Sequence, residues 1–141
     1  MDAMVAIMTI DDYAEAYALW SATPGMGLNA LDDSREGIGR FLARNPRTCL
    51  TARRAGRLVG VLLAGHDGRR GHLYHAAVLP SERGRGVGRA LVEAAMEALA
   101  AEGIAKASLV VFSDNALGNA FWERLGFSAR PDLVYRNKVT E

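Results

Sequence analysis

The sequence predicts a single α/β domain, because helical and strand-like patterns alternate along a chain of ordinary domain length. The chain has 141 residues and half of them are hydrophobic, which suffices for a core without metal or disulfide bonds. No internal repeat, low-complexity tract or linker interrupts it, so we expect one domain over residues 1–141. The predicted order of elements is β-α-α-β-β-β-α-β-α-β-β.

The predicted first helix follows a short strand. Residues 5–8 form an apolar run, and Thr9 with an acid three residues later, at Asp12, is typical of a helix start. Spacing of three and four residues predicts the buried face of this helix. That face should consist of Tyr13, Ala16, Tyr17 and Trp20.

A second helix and three successive strands should follow. The helix is expected to begin within residues 33–36 and to end before Pro46. The strands are separated by turn-forming residues, and Ala55-Gly56 is a plausible hairpin turn. We expect these strands at residues 48–53, 57–65 and 72–79.

The clearest helix is predicted for residues 87–102. Its apolar stripe has four-residue spacing, and Gly103 stands where a helix commonly ends. The stripe consists of Val87, Leu91, Ala95 and Leu99. The pattern then predicts a strand at residues 107–112, a helix at 116–125 and a last strand at 133–139.

Charge and cysteine content exclude several classes of protein. Lys plus Arg (17) nearly equals Asp plus Glu (16), and a formal charge of +1 argues against a general nucleic-acid binder. The only cysteine is Cys49, and its apolar surroundings favour a buried hydrophobic residue over a nucleophile. No signal sequence or bilayer-length apolar run is visible, so we expect a soluble, cytoplasmic protein.

The most informative segment joins a predicted strand to the start of the clearest helix. Alternate glycines leave its backbone N–H groups accessible, and the positive end of the helix lies in the same place. Its spacing matches neither the dinucleotide fingerprint nor the nucleotide P-loop. These residues therefore predict an anion-binding cradle. The glycines are Gly84, Gly86 and Gly88, and the arginines are Arg83, Arg85 and Arg89.

Two segments resemble motifs of the GNAT acetyltransferase superfamily. Arg83-x-x-Gly86-x-Gly88 is similar to the family's pyrophosphate motif, Q/R-x-x-G-x-G/A, and follows Val78-Leu79-Pro80 as that motif follows V-x-P. Residues 115–127 are similar to the family's N-x-x-A-x-x-F/L-Y-x-x-x-G-F segment. Residues 65–71 are similar to the hairpin of one small bacterial subgroup. The resemblance spans about the whole chain and is specific from His72 to Phe127.

The resemblance implies a fold, a cofactor and an activity. The fold is a mixed, mostly antiparallel central sheet flanked by about four helices, with a V-shaped splay between two parallel strands. Acetyl-CoA would lie in that splay. The activity would be transfer of its acetyl group to a primary amine of a small molecule or peptide, by direct attack on the thioester. The implied partner is this amine, without nucleic acid or membrane, and homodimer formation stays open.

The resemblance also assigns contacts to coenzyme A. The Val78 backbone would pair with the pantetheine arm, and its N–H would hold the thioester oxygen, which is an oxyanion-hole role. Asn115 would hydrogen-bond the pantetheine or cap the following helix. Trp122 would pack or line the acyl pocket. The pyrophosphate would lie against Arg83, Gly84, Arg85, Gly86, Val87, Gly88 and Arg89.

Two catalytic groups common in the family are absent. Trp122 stands where many members have a tyrosine acid, and Val110 lies on a strand where many carry a glutamate. In several members a carboxylate or histidine pair occupies the positions of His72 and Tyr74. His72 is therefore the candidate base, acting through water near neutral pH, although a surface histidine beside a turn is an equal alternative.

Strand alternation should place His72, Tyr74, Ala76 and Val78 on one face. His75 would then point to the other face, so His72 and His75 form a poor metal pair and we expect no metal. Tyr135 is a reserve acid or substrate contact.

The identity of the acceptor, and whether the chain is catalytically active, stay open at this point. An acyl-CoA-binding sensor that has lost activity is the alternative, because the usual tyrosine and glutamate are absent. In the family, the acceptor site is built from the segments that match residues 25–33 and 128–133. The acids of the first segment would suit a cationic amine, or Asp32 or Asp33 would cap the next helix.

Overall fold

The computed structural model describes residues 2–140. Two compact units divide the chain, one ending at Val110 and the other beginning at Val111. The sheet, and all helices but the last, belong to the first unit. Within the described residues, no helix is both long and apolar enough to cross a membrane.

A mixed α/β arrangement with four α-helices confirms the predicted fold class. The strands are β1 (Met4–Ile7), β2 (Leu50–Arg54), β3 (Arg57–His66), β4 (Gly71–Val78) and β5 (Ala107–Ser108). The helices are α1 (Tyr13–Ser21), α2 (Arg35–Arg44), α3 (Val87–Ala101) and α4 (Ala116–Arg124). The sheet order is β1-β2-β3-β4-β5, antiparallel except for the β4–β5 pair.

Side-chain caps start α2 and the short 3-10 turn, Ile10–Asp12, that leads into α1. Thr9 and Asp12 form the expected reciprocal capping box before α1, where the Thr9 N–H donates to Asp12 Oδ2 at 2.9 Å. Ser34 caps α2 by accepting from the Gly37 N–H at 3.1 Å. The expected capping of α2 by Asp32 or Asp33 is therefore wrong, because Ser34 occupies the N-cap position.

Helices cover both faces of the sheet. On one face, α1 buries Ala16, Leu19 and Trp20. Tyr17, expected in this face, is 41% exposed, because Leu19 and Trp20 complete the i, i+3, i+4 set instead. On the other face, the predicted α3 stripe is fully buried. Gly60 allows that close approach, since a Cβ there would lie 2.9 Å from Leu91 Cδ1.

Two predicted strands are shortened or absent. The strand expected at residues 107–112 is reduced to β5, and Val110 and Phe112 are exposed. Residues 133–139 form no strand, and Val134 and Tyr135 are likewise exposed. Strand propensity reflects packing against neighbouring strands, and no described strand pairs with these residues.

A bulge in β4 overturns the predicted alternation. Tyr74 lies opposite Leu63 but Ala77 lies opposite Val61, so two β4 residues face the single residue between. One of these is His75, whose φ is +53°. Because the bulge adds one residue, Ala77 now shares a face with Tyr74 and Val78 lies on the other face.

Candidate active site

The strands β4 and β5 form an opening in the sheet. They pair only at Gly71 with Ala107 and His72 with Ser108, so β4 has no described partner on that side beyond His72. The Leu79 N–H donates to Val59 O on β3 at 2.8 Å. Because successive N–H groups alternate between the edges of a strand, the Val78 N–H points to the open edge.

The turn after β4 presents backbone donors without acceptors. Within the described residues, no amide of residues 84–89 donates a hydrogen bond. Gly86, the N-cap of α3, supplies no side-chain cap, so the positive end of that 15-residue helix is uncapped. Consecutive free amides at a helix start are a binding site for an anion.

Two glycines of this cradle meet a conformational requirement. Gly84 and Gly86 have φ of +79° and +81°, and a Cβ on either would meet nothing within 4 Å. These residues therefore keep open space beside the free amides, as a bound phosphate group requires. The cradle thus leaves room for a bound anion beside its free amides.

Arginines around the cradle differ in their partners. Arg85 lies 3.9 Å from Glu82, and Arg89 lies 3.6 Å from Glu93. Both side chains are more than half exposed. Arg83 forms no ion pair with another described residue. The cradle thus has exposed positive charge around its amides, which favours an anionic ligand.

His72 lies in a cleft on the α2 side of the sheet. The cleft has a volume of about 370 Å³. His72 Nδ1 and Ser108 Oγ are 3.0 Å apart, and the His72 and Tyr74 rings are 4.4 Å apart. Phe41 packs edge-on against Tyr74 at 5.6 Å. Burial lowers the pKa of His72 below its ordinary value, so the imidazole is neutral at pH 7 and able to accept a proton.

His72 and the Val78 amide are well separated. Six residues of extended strand correspond to about 20 Å, and the bulge places the two residues on opposite faces. The structure therefore brings His72 and Tyr74 together but leaves Val78 apart from them. A proton can travel between the two places only through several waters.

A partly buried histidine–carboxylate pair lies at the bulge. His75 Nε2 donates to Asp33 Oδ1 at 2.7 Å, and Asp33 Oδ2 accepts from the Asn29 N–H at 2.7 Å. The Trp20 indole donates to His75 O at 2.9 Å and its ring packs edge-on against the imidazole. His75 thus turns toward α1, contrary to the expectation that it faces away from His72.

Sequence reasoning missed this pair because nothing local connects its members. Asp33 and His75 are 42 positions apart, and the bulge that turns His75 has no glycine or proline to mark it. The described residues contain no group of three potential metal ligands. The pair therefore links the segment before α2 to β4.

Asn115 and Trp122 lie in the second unit. Asn115 Oδ1 caps α4 by accepting from the Gly118 N–H at 2.9 Å, which leaves its amide nitrogen available as a donor. Trp122 packs between Phe121 and Phe127, with ring centroids 5.0 and 5.2 Å apart. The expected helix-capping role of Asn115 and packing role of Trp122 are both present.

Cys49 is a core residue, as its surroundings predict. It is 1% exposed, and its thiol donates to Ala64 O at 3.4 Å. Burial raises the pKa of this thiol to about 11, so the thiolate is scarcely populated at neutral pH.

Comparison with known proteins gives a consistent result. The model of the Acetyltransferase (GNAT) family matches residues 12–127. An acetyltransferase of Sodalis glossinidius is 31% identical over 134 residues, which cover 95% of this chain and 93% of that protein.

Solved structures share the fold. The PaiA N-acetyltransferase of Thermoplasma acidophilum, in complex with coenzyme A, has a TM-score of 0.79 at 18% identity, and the match covers 92% of each chain. The structure of AAC(6')-Iy with a bisubstrate analogue has a TM-score of 0.78 at 18% identity, with 99% of each chain covered.

Proposed function

Because the chain belongs to the GNAT acetyltransferase family, which takes its acetyl group from acetyl-CoA, we propose that the acceptor is a primary amine of a small molecule or peptide. The main observation behind this proposal is a candidate binding place for acetyl-CoA. The amides of residues 84–89 have no hydrogen-bond acceptors among the described residues, and they directly follow the open edge of β4. Acetyl-CoA supplies an activated acyl group, so this chain needs to bind it, place an amine beside it and remove one proton.

Binding of the cofactor is assigned to the cradle and the open edge. The amides of residues 84–89 and the surrounding arginines would hold the pyrophosphate. The Val78 N–H, directed to the open edge, would hold the acyl oxygen as negative charge develops there. The free amide nitrogen of Asn115 would donate to the pantetheine arm, and Trp122 would line the acyl pocket.

Proton removal is assigned to water and His72. An alkylammonium has a pKa of about 10.4 and must lose a proton before its nitrogen can attack the acyl carbon. His72 is neutral at pH 7, and we assign it as the final proton acceptor of a water chain from the reacting amine. Tyr74, packed against His72, would contact the acceptor. The direct attack itself then depends chiefly on positioning.

A thiol-release screen tests this function. The protein is mixed with acetyl-CoA and a panel of amines, aminoglycosides, amino acids and peptides, and free coenzyme A thiol is measured. We expect release with at least one primary amine, and mass spectrometry should place the acetyl group on nitrogen. An N-dimethylated version of that amine is the control. Acetyl-CoA binding without release across the panel would favour the sensor alternative.

A further inference from the structure

The cleft beside His72 has an unbalanced positive charge. Its lining includes Phe41, Arg44, His66, Asp67, Arg70 and Tyr74. Its two arginines, Arg44 and Arg70, are exposed and form no ion pair within residues 2–140. Unpaired guanidinium groups at the mouth of a cleft favour carboxylate or phosphate oxygens.

Asp67, the acid of the cleft lining, does not neutralise the side chains of these arginines. Asp67 Oδ1 accepts from the backbone N–H groups of Arg69 and Arg70 at 2.8 and 2.9 Å. These two bonds close the turn between β3 and β4 and lower the pKa of Asp67. His66 is likewise occupied, because its Nε2 donates to Glu102 and its Nδ1 accepts from the Gly68 N–H.

The arginines of the cleft are too far from the cradle to bind the cofactor's pyrophosphate. Arg70 directly precedes β4, whereas the cradle follows the end of that strand. The eight residues of β4 span more than about 20 Å when extended. An anion bound by Arg44 and Arg70 would therefore belong to a group other than the cofactor's pyrophosphate.

We propose that this cleft binds the anionic end of the acceptor, a carboxylate or phosphate held by Arg44 and Arg70. The proposal rests on the proposed acetyl transfer to an amine. Phe41 and Tyr74 form apolar walls beside the charge, which suits the aliphatic or peptide portion of such a molecule. Because Arg70 precedes β4 and Val78 ends it, more than about 20 Å away along the strand, the amine and the anionic group should lie at opposite ends of an elongated acceptor.

Three probes with the same six-carbon aminoalkyl chain isolate the charge. They are 6-aminohexanoate, 6-aminohexyl phosphate and 6-amino-1-hexanol. Binding is followed at low ionic strength by the NMR signal of the His72 ring, which needs no turnover. We expect the better anionic probe to bind at least roughly fivefold more tightly than the alcohol. The tighter of the two anionic probes decides between a carboxylate and a phosphate.

Matched variants assign the effect to the cleft. Arg44→Gln with Arg70→Gln should abolish the preference for anionic probes. Arg69→Gln removes another exposed charge from the same turn but not from the cleft lining, and it should keep the preference. Equal affinity for all three probes, or a preference that survives in the double variant, would overturn the proposal.

Thiol release across the amine panel of the proposed function separates the two hypotheses, because the six-carbon probes are too short to reach from Arg70 to Val78. A charge preference in binding that is accompanied by no acetylation of any amine would leave the cleft assignment standing and count against the proposed function. Acetylation of an amine without any charge preference in binding would support the proposed function and overturn the cleft assignment.

Discussion

Gly86 and Gly103 have nearly the same φ at opposite ends of α3. Their φ values are +81° and +84°, and a Cβ added to either would meet nothing within 4 Å. Gly86 belongs to the cradle of free amides, whereas Gly103 ends the helix and its N–H donates to Ala100 O. The same substitution at the two positions therefore distinguishes the cost of backbone strain from a loss of ligand binding.

Gly86→Val should abolish acetyl-CoA binding, because the side chain fills the space beside the amides. Each variant, Gly86→Val and Gly103→Val, should lose about 1–3 kcal/mol of stability, since a β-branched residue at positive φ is strained. Urea unfolding measures the stability, and calorimetry measures the binding. Gly103→Val should bind acetyl-CoA like the wild type, and equal binding by both variants would refute the cradle.

His72→Ala should lower turnover by less than about 10²-fold, because His72 acts at a distance from the reacting amine. Burial lowers the pKa of His72, so its neutral form persists below pH 6.5 and should be lost only at more acidic pH. The deficit of the variant should shrink as pH rises, because more amine is already neutral. Rate–pH profiles of both proteins measure this, with acetyl-CoA affinity as the control. Identical profiles would remove His72 from the mechanism.

Asp33 connects three elements of the first unit. It binds His75 of β4 and the Asn29 amide, and its backbone carbonyl accepts from the Tyr13 hydroxyl of α1 at 2.7 Å. Its residue exposure is 7%. Removal of this carboxylate would leave a partly buried imidazole and a backbone N–H without their acceptors.

Asp33→Ala should therefore lower the free energy of unfolding by about 2–3 kcal/mol. Asp32→Ala removes an adjacent but exposed acid and should change it by less than about 0.5 kcal/mol. Urea titrations of the two variants provide the comparison. Similar effects of both substitutions would show that the carboxylate pairing contributes nothing specific.

Elements with a local signal were predictable from the sequence. The α3 stripe, the Thr9–Asp12 capping box and the turn at Ala55-Gly56 all appear as expected, because each depends on residues close in sequence. The bulge at His75 depends on how β3 and β4 pair, so alternation alone gave the wrong face for Val78. The glycine turn at the start of α3 was likewise predictable, and its role as an anion cradle stays a prediction, whereas the Asp33–His75 pair required the tertiary fold.

The whole chain should respond to its cofactor by mass action. Acetyl-CoA binds the folded protein, so at 100 times Kd it should add about 2.7 kcal/mol of stability and raise Tm. Pantetheine alone lacks the pyrophosphate and should raise Tm far less at equal concentration. Thermal denaturation with each ligand measures this. A larger shift with NAD or ATP than with acetyl-CoA would contradict the cradle assignment.

The expectation of one domain has its own test, because each unit contains one tryptophan. The first unit has Trp20 and the second has Trp122. In Trp20→Phe the remaining fluorescence reports on the second unit, while far-UV circular dichroism is dominated by the sheet and helices of the first. Coincident urea midpoints would support one cooperative domain, and separate midpoints would show that the units unfold independently.

The extra residue in β4 determines which face of the sheet the side chains on either side of the bulge occupy. Deletion of Ala76 would restore regular pairing with β3, and one side of the deletion would then have to turn over relative to the other. If the segment after it kept its place, Leu73 would leave the core and the His72 and Tyr74 rings would be forced inward. A single-residue deletion here should therefore be far more damaging than one in the turn at residues 67–70, and insertions at this point would be selected against for the same reason.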